Sequence, residues 1–146
     1  ERLYLAACHL HDTIWQAHPD YRSEVCFETV TGANLGGIDH EGRVFLALAL
    51  MSRYKRTDFN TVNKEILNLL DETSIRNAMM LGASMRLGSM LSVTNSSSLM
   101  KTKIFLEDKY ICLNLNEKDN FLGEVVEKRL THLAQLMGLN PKIIVD

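Results

Sequence analysis

The chain has 146 residues, 46% hydrophobic and 23% charged, with a formal net charge of −2. That balance excludes a disordered tail, and no uninterrupted apolar run approaches the ~20 residues of a bilayer-spanning helix, so the sequence does not read as a membrane protein. A chain of this length buries ~70% of the surface its unfolded form exposes, enough for one core without disulfide staples.

Leu3, Ala7, Leu10 and Ile14 recur at helical spacing and predict a first helix ending near His11-Asp12-Thr13, before Pro19. A second is expected from Asp20 to about Thr31, stopped by Gly32, with Asn34-Leu35-Gly36-Gly37 as a loop. Asp39 then suits the N-cap of a third helix through Arg43, Phe45, Leu48 and Met51. From Val44 to Met51 no residue is polar, and a helix apolar all round belongs at the centre of a bundle. Arg53-Tyr54-Lys55-Arg56 reads as an exposed segment. Val62, Ile66, Leu69 and Leu70 mark a fourth helix, and Thr73 or Ser74 would cap a fifth running to about Leu91. Met79, Met80, Met85 and Met90 on that fifth helix read as adaptable core. Ala78, Gly82 and Gly88 would admit another helix at close range.

Past the Ser/Thr/Asn-rich stretch the period changes. Ile104-Phe105-Leu106 and Tyr110 to Leu115 predict two strands joined by a hairpin turn at Glu107-Asp108-Lys109. Phe121 to Met137 returns to helix with Gly138 as its stop, and Lys142 to Val145 is a last strand. The expected fold is mainly α: a helical bundle over residues 1–92, a Ser-rich link over 93–100, and a small β-β-α-β unit over 101–146 packed on the bundle.

Charge is unevenly distributed. Residues 1–42 hold two basic against seven acidic side chains, residues 43–86 seven against four, and the remainder balances. A basic middle third can face a polyanion. Nucleic acid is not indicated, because the basic residues are few and carry no aromatic stacking pattern. Cys8, Cys26 and Cys112 lie far apart without CxxC spacing; as small buried thiols they suit a reducing, cytoplasmic compartment. No signal peptide is legible. Glu1 stands where Met would open a protein, and Arg2 to Ala7 already reads as helix interior, so a longer parent protein is expected.

Imidazole and carboxylate side chains concentrate at His9-Leu10-His11-Asp12, His18 and Asp20. An adjacent His-Asp pair can give two ligands to one divalent ion of a phosphohydrolase, with His18 as a third candidate. Completing the shell takes ligands from other helices. His40, just after the Asp39 cap, suits a surface or helix-dipole role, and Arg86-Leu87-Gly88-Ser89-Met90-Leu91 offers no acid where a further carboxylate is wanted. Spacing alone therefore supplies no complete metal centre. Gly36-Gly37 leads into neither a phosphate loop nor a GxGxxG run, and no serine sits in a GxSxG elbow. No catalytic residue is assigned.

Leu10-His11-Asp12-Thr13-Ile14-Trp15, then Ala17-His18-Pro19-Asp20-Tyr21-Arg22, then Gly37-Ile38-Asp39-His40-Glu41-Gly42-Arg43-Val44-Phe45-Leu46-Ala47 resemble the C-terminal region of the exopolyphosphatase and guanosine pentaphosphate phosphohydrolase family, most closely its alphaproteobacterial members. The resemblance extends more weakly through Arg53-Tyr54-Lys55-Arg56 and Met85-Arg86-Leu87-Gly88 into the closing β unit. It implies an HD-domain-like bundle, generally without a working metal site. The actin-like domains that hold catalytic carboxylates, magnesium and phosphate would lie N-terminal to it. In the family this half helps form the dimer and the channel for the phosphate chain. His11 and Asp12 occupy the HD signature pair, but the terminal aspartate is missing, and Tyr54 or Lys55 stands where relatives tend to carry a histidine.

Polyphosphate carries about one negative charge per internal phosphate, so a protein that threads it should offer spaced guanidinium and ammonium groups. Arg43, Arg53, Lys55, Arg56 and Arg86 are the candidate contacts. The expectation is an accessory and assembly module that needs no cofactor of its own, in a homodimeric parent that uses magnesium. The alternative is a self-contained HD-type metal phosphohydrolase of nucleotides or alarmones, with metal at His11, Asp12 and His18.

Overall fold

The computed structural model describes residues 1–55, 62, 64–92, 100–115 and 123–145. They form six helices and three strands, and the chain divides into two compact units, Glu1–Met85 and Arg86–Asp146. The division falls inside a helix, while the serine-rich link read from the sequence lies, apart from Met100, outside the described residues.

The first unit is built around α3, His40–Tyr54. Its apolar run Val44–Met51 is buried along its whole length, no side chain being more than 7% exposed, as an all-round apolar helix requires. Asp39 starts it: the backbone there is extended and Oδ1 accepts the Gly42 N–H at 2.8 Å, satisfying one of the unpaired amides of the first turn. Two helices precede it, α1 (Arg2–His9) and α2 (Arg22–Gly32). Ala7 of α1 and Cys26, Phe27 and Val30 of α2 join the core, with Leu3, Leu10 and Ile14 packed half-buried against it.

The fourth helix is shorter than its apolar spacing suggests. α4 covers only Lys64–Leu67, because Leu69 and Leu70 bond to carbonyls three residues back and close a tight turn. Val62 is buried ahead of it, and Leu69 is 47% exposed. α5, Glu72–Leu91, is capped by Asp71, not by Thr73 or Ser74: the Asp71 carboxylate accepts the Ser74 N–H at 2.6 Å. A charged acceptor is favoured at the positive end of a helix, and Ser74 becomes the residue whose amide is capped. Gly82 is where α5 meets α3, since an added Cβ would stand 2.3 Å from the Ala49 carbonyl oxygen. Gly88 differs from the expectation, as nothing among the described residues lies within 4 Å of such a Cβ.

The second unit holds a three-stranded sheet of order β1-β2-β3 (β1 Lys103–Glu107, β2 Tyr110–Leu115, β3 Asn140–Val145). β1 and β2 pair antiparallel from Lys103↔Asn114 to Glu107↔Tyr110, so the hairpin turns on two residues, with Asp108 at φ 50°. Asp tolerates that left-handed region better than most side chains. β3 pairs parallel to β2, from Tyr110↔Asn140 to Leu115↔Val145, and α6, Glu124–Met137, makes the crossover between them. The buried face of α6, Val126, Leu130, Leu133 and Ala134, lies over β2 and β3. Gly138 at φ 70° ends it, and the amides of Gly138 and Leu139 bond back to Gln135 and Ala134, a left-handed C-terminal cap. The architecture is the mainly α chain with a small β-β-α-β unit that the sequence predicts. Among the described residues no helix is long and apolar enough to cross a membrane.

Candidate functional site

His11 and Asp12 do not continue α1. The helix ends at His9, and the chain then winds through successive tight turns in which Thr13, Trp15 and Ala17 donate to Leu10, Asp12 and Ile14. That path turns both side chains back onto the protein. His11 Nδ1 lies 2.9 Å from the Cys8 carbonyl oxygen, and Nε2 lies 3.2 Å from Asp12 Oδ2. The other carboxylate oxygen, Asp12 Oδ1, accepts Arg53 Nη2 at 2.8 Å. Each polar atom of the pair therefore already has a partner within the chain.

Arg53 comes from the last turn of α3, and of the segment read as exposed Arg53 and Tyr54 are partly enclosed while Lys55 is exposed. The Arg53 side chain is 13% exposed, because α3 is buried up to Ser52 and its final turn packs against the loop after α1. The guanidinium carbon lies 5.2 Å from the centre of the Tyr54 ring, and that of Arg22 lies 5.6 Å from it. Arg22 is fixed by two donations, from Nε and Nη2, to the Ala17 carbonyl. Tyr54 donates its hydroxyl to the His11 carbonyl at 3.0 Å. Burial pushes the pKa of that hydroxyl above its ordinary value, against the lowering influence of the Ile14 backbone and Arg53. Cys26 lies beneath, where burial pushes its thiol up to about 12 despite the nearby Arg53 charge. His11, Asp12, Arg53 and Tyr54 thus form one contact network joining the loop after α1 to the end of α3. Arg22 belongs to it as well; it stands in a motif the sequence singles out, but its stacking on Tyr54 leaves no local pattern to read.

The remaining candidates lie elsewhere. Lys55 is exposed, with Nζ 3.8 Å from Glu24 Oε1. Arg43 is at the opposite end of α3, donating Nη1 to the Ala33 carbonyl at 3.1 Å and contacting His40 through Nη2. His40 and Arg43 line a groove shared with Glu28, Thr31, Ile66 and Leu69, so carboxylate and guanidinium share its walls. Arg86 belongs to the second unit, where burial draws its guanidinium below the usual value and its carbonyl accepts Arg129 Nη1. Arg56 lies outside the described residues. Arg53 and Lys55 are thus brought to one end of α3, Arg43 to the other.

His18 is exposed. Its Nδ1 accepts the Asp20 amide at 3.3 Å, and its ring leans on Tyr21. Among the described residues no three His, Cys, Asp or Glu side chains are grouped to hold a metal ion. The donor set does not fit a divalent ion: both ring nitrogens of His11 face acceptor oxygens, and the Asp12 carboxylate is shared between His11 and a guanidinium. What the arrangement does chemically is neutralise a partly buried arginine and tie two elements together.

Fold and site define a mainly helical module with a small β unit, in which the His-Asp pair is engaged by the chain's own side chains. The model of the exopolyphosphatase C-terminal domain matches residues 1–144, and the chain belongs to that family. No curated protein matches it.

Proposed function

We propose that this chain is the accessory module of an exopolyphosphatase-type phosphohydrolase, contributing to polyphosphate binding and to dimerisation while N-terminal actin-like domains of the same polypeptide, with magnesium, hydrolyse the terminal phosphoanhydride. The observation that carries the reading is the engagement of Asp12 by Arg53, 2.8 Å away. A carboxylate committed to a guanidinium supports a binding and assembly role over hydrolysis within this domain. Binding energy gathered far from the reacting bond then serves turnover elsewhere.

Among the basic side chains, Lys55 is the readiest to meet a phosphate chain. Its pairing with Glu24 is long and the lysine itself is exposed; a loose pair of this kind contributes about 0–1 kcal/mol, so a polyanion can compete with the carboxylate at small cost. Arg43 offers a guanidinium at the groove, while Arg53 serves mainly through Asp12; Arg56 and Arg86 extend the candidate set. The test is polyphosphate binding by the 146-residue chain, titrated against salt. Binding that weakens with salt and weakens further in K55A and R43A is expected, with no phosphate release in the presence of magnesium or manganese. Phosphate release abolished by H11A or D12A would overturn the reading in favour of a self-contained metal phosphohydrolase.

A further inference from the structure

Among the described residues, the sheet of the second unit leaves β1 at an open edge. Its order is β1-β2-β3, and α6 lies over β2 and β3. All five residues of β1 are exposed, including Ile104 at 48%, Phe105 at 40% and Leu106 at 61%. Proteins ordinarily suppress a free strand edge with apolar side chains on it, because it templates pairing with another chain.

The residues of the strand indicate which chain. Lys103-Ile104-Phe105-Leu106-Glu107 is chemically symmetric about Phe105: a cation and an anion at the ends, two aliphatic residues inside them, and an aromatic at the centre. The backbone has the matching symmetry. The two-residue turn makes Glu107 and Tyr110 the closing hydrogen-bonded pair. By antiparallel alternation, Lys103, Phe105 and Glu107 then bond to β2, and the N–H and C=O groups of Ile104 and Leu106 point to the open edge.

We propose that two copies of this chain pair antiparallel through β1 about a two-fold axis at Phe105, making one continuous six-stranded sheet. In that register Ile104 exchanges both backbone bonds with Leu106 of the second copy, and the two Phe105 rings meet at a non-hydrogen-bonded position, where side chains are closest. Lys103 faces Glu107 of the second copy. Glu107 holds its own Lys142 through Oε2 at 3.0 Å and meets the incoming Lys103 with its other oxygen. A register shifted by one residue loses both the charge pairing and the alternation of bonded positions. The interface is isologous, as a two-fold dimer demands.

This proposal rests on the dimer reading above, and the experiment separates the two. Sedimentation of the 146-residue chain comes first; a monomer at every concentration overturns dimerisation itself. Cysteine crosslinking then tests the register in a C8S/C112S background, which removes the exposed native thiol and the one that faces position 105 across the hairpin. F105C is expected to form a disulfide-linked dimer under mild oxidation, as is an equimolar mixture of I104C and L106C. K103C is not, because its two sulfurs start from positions about 13 Å apart, beyond disulfide reach. L106P, which removes an outward N–H and leaves the bonds to β2 intact, should raise the dimer dissociation constant about tenfold. A wild-type dimer that F105C fails to lock, or that K103C locks equally fast, overturns the β1 register while leaving dimerisation standing; pairing through another surface is then the answer.

Discussion

Arg53 Nη2 donates to Asp12 Oδ1 at 2.8 Å across 41 residues of sequence. That contact decides how the His-Asp pair is used. Without it, Asp12 would be a free carboxylate beside an imidazole; with it, the pair clasps the loop after α1 to the end of α3.

The clasp predicts a stability coupling. D12A should destabilise the chain by about 1 kcal/mol, a charged hydrogen bond discounted for the exposure of Asp12. A cycle of D12A, R53M and the double variant in urea should return a coupling of similar size. Independent effects would show that the two side chains touch without holding anything together.

Gly82 and Gly88 should respond in opposite senses to alanine. An added Cβ at Gly82 would stand 2.3 Å from the Ala49 carbonyl oxygen and 2.4 Å from Ser52 Cβ, so α5 and α3 must separate, costing about 1–3 kcal/mol. At Gly88 nothing described lies within 4 Å, and helix propensity favours alanine by up to about 1 kcal/mol. Denaturant midpoints of G82A and G88A read both outcomes, and equal shifts would contradict the helix crossing.

The start of α3 depends on one carboxylate. D39A should cost about 1 kcal/mol, while D39N, which keeps an acceptor for the Gly42 amide, should lose much less. Thermal unfolding of both variants checks the cap, which has no part in the result if they are equally destabilised.

Cys26 predicts the alkaline behaviour. Its thiol ionises near 9.0 in an unfolded chain and at about 12 in the folded one. A folded-state value raised above the unfolded one gives stability that is complete below pH 9 and is lost as pH climbs toward 12. Tyr54, also raised by burial from its ordinary 10.0, adds to the same decline. Urea unfolding from pH 8 to 11 should show the loss, with a shallower slope in C26A. Native-state alkylation at pH 8 should label exposed Cys8 and spare buried Cys26 and Cys112.

Much of the helical unit was legible along the chain. The unbroken apolar run Val44–Met51 can only be satisfied by burial on every side, and Asp39 three residues before Gly42 announces its own cap. The β unit was legible because period-two strands, a polar two-residue turn and a glycine stop are local signals. The cap of α5 was misplaced by two or three residues because Asp71, Thr73 and Ser74 are all good caps in isolation. The spacing of the basic residues in space is not visible along the chain: Arg43 and Arg53 share a helix but sit ten positions apart, about 15 Å along its axis, and Arg86 belongs to the other unit.

Local chemistry in the amino-acid order determined which segments coil, extend or turn, because periodicity and capping act over a few neighbouring residues. Motif resemblance carried the family. Only the tertiary structure decided what His11 and Asp12 do, since the guanidinium that engages the carboxylate arrives from the far end of another helix. No spacing along the chain encodes a meeting brought about by the burial of α3.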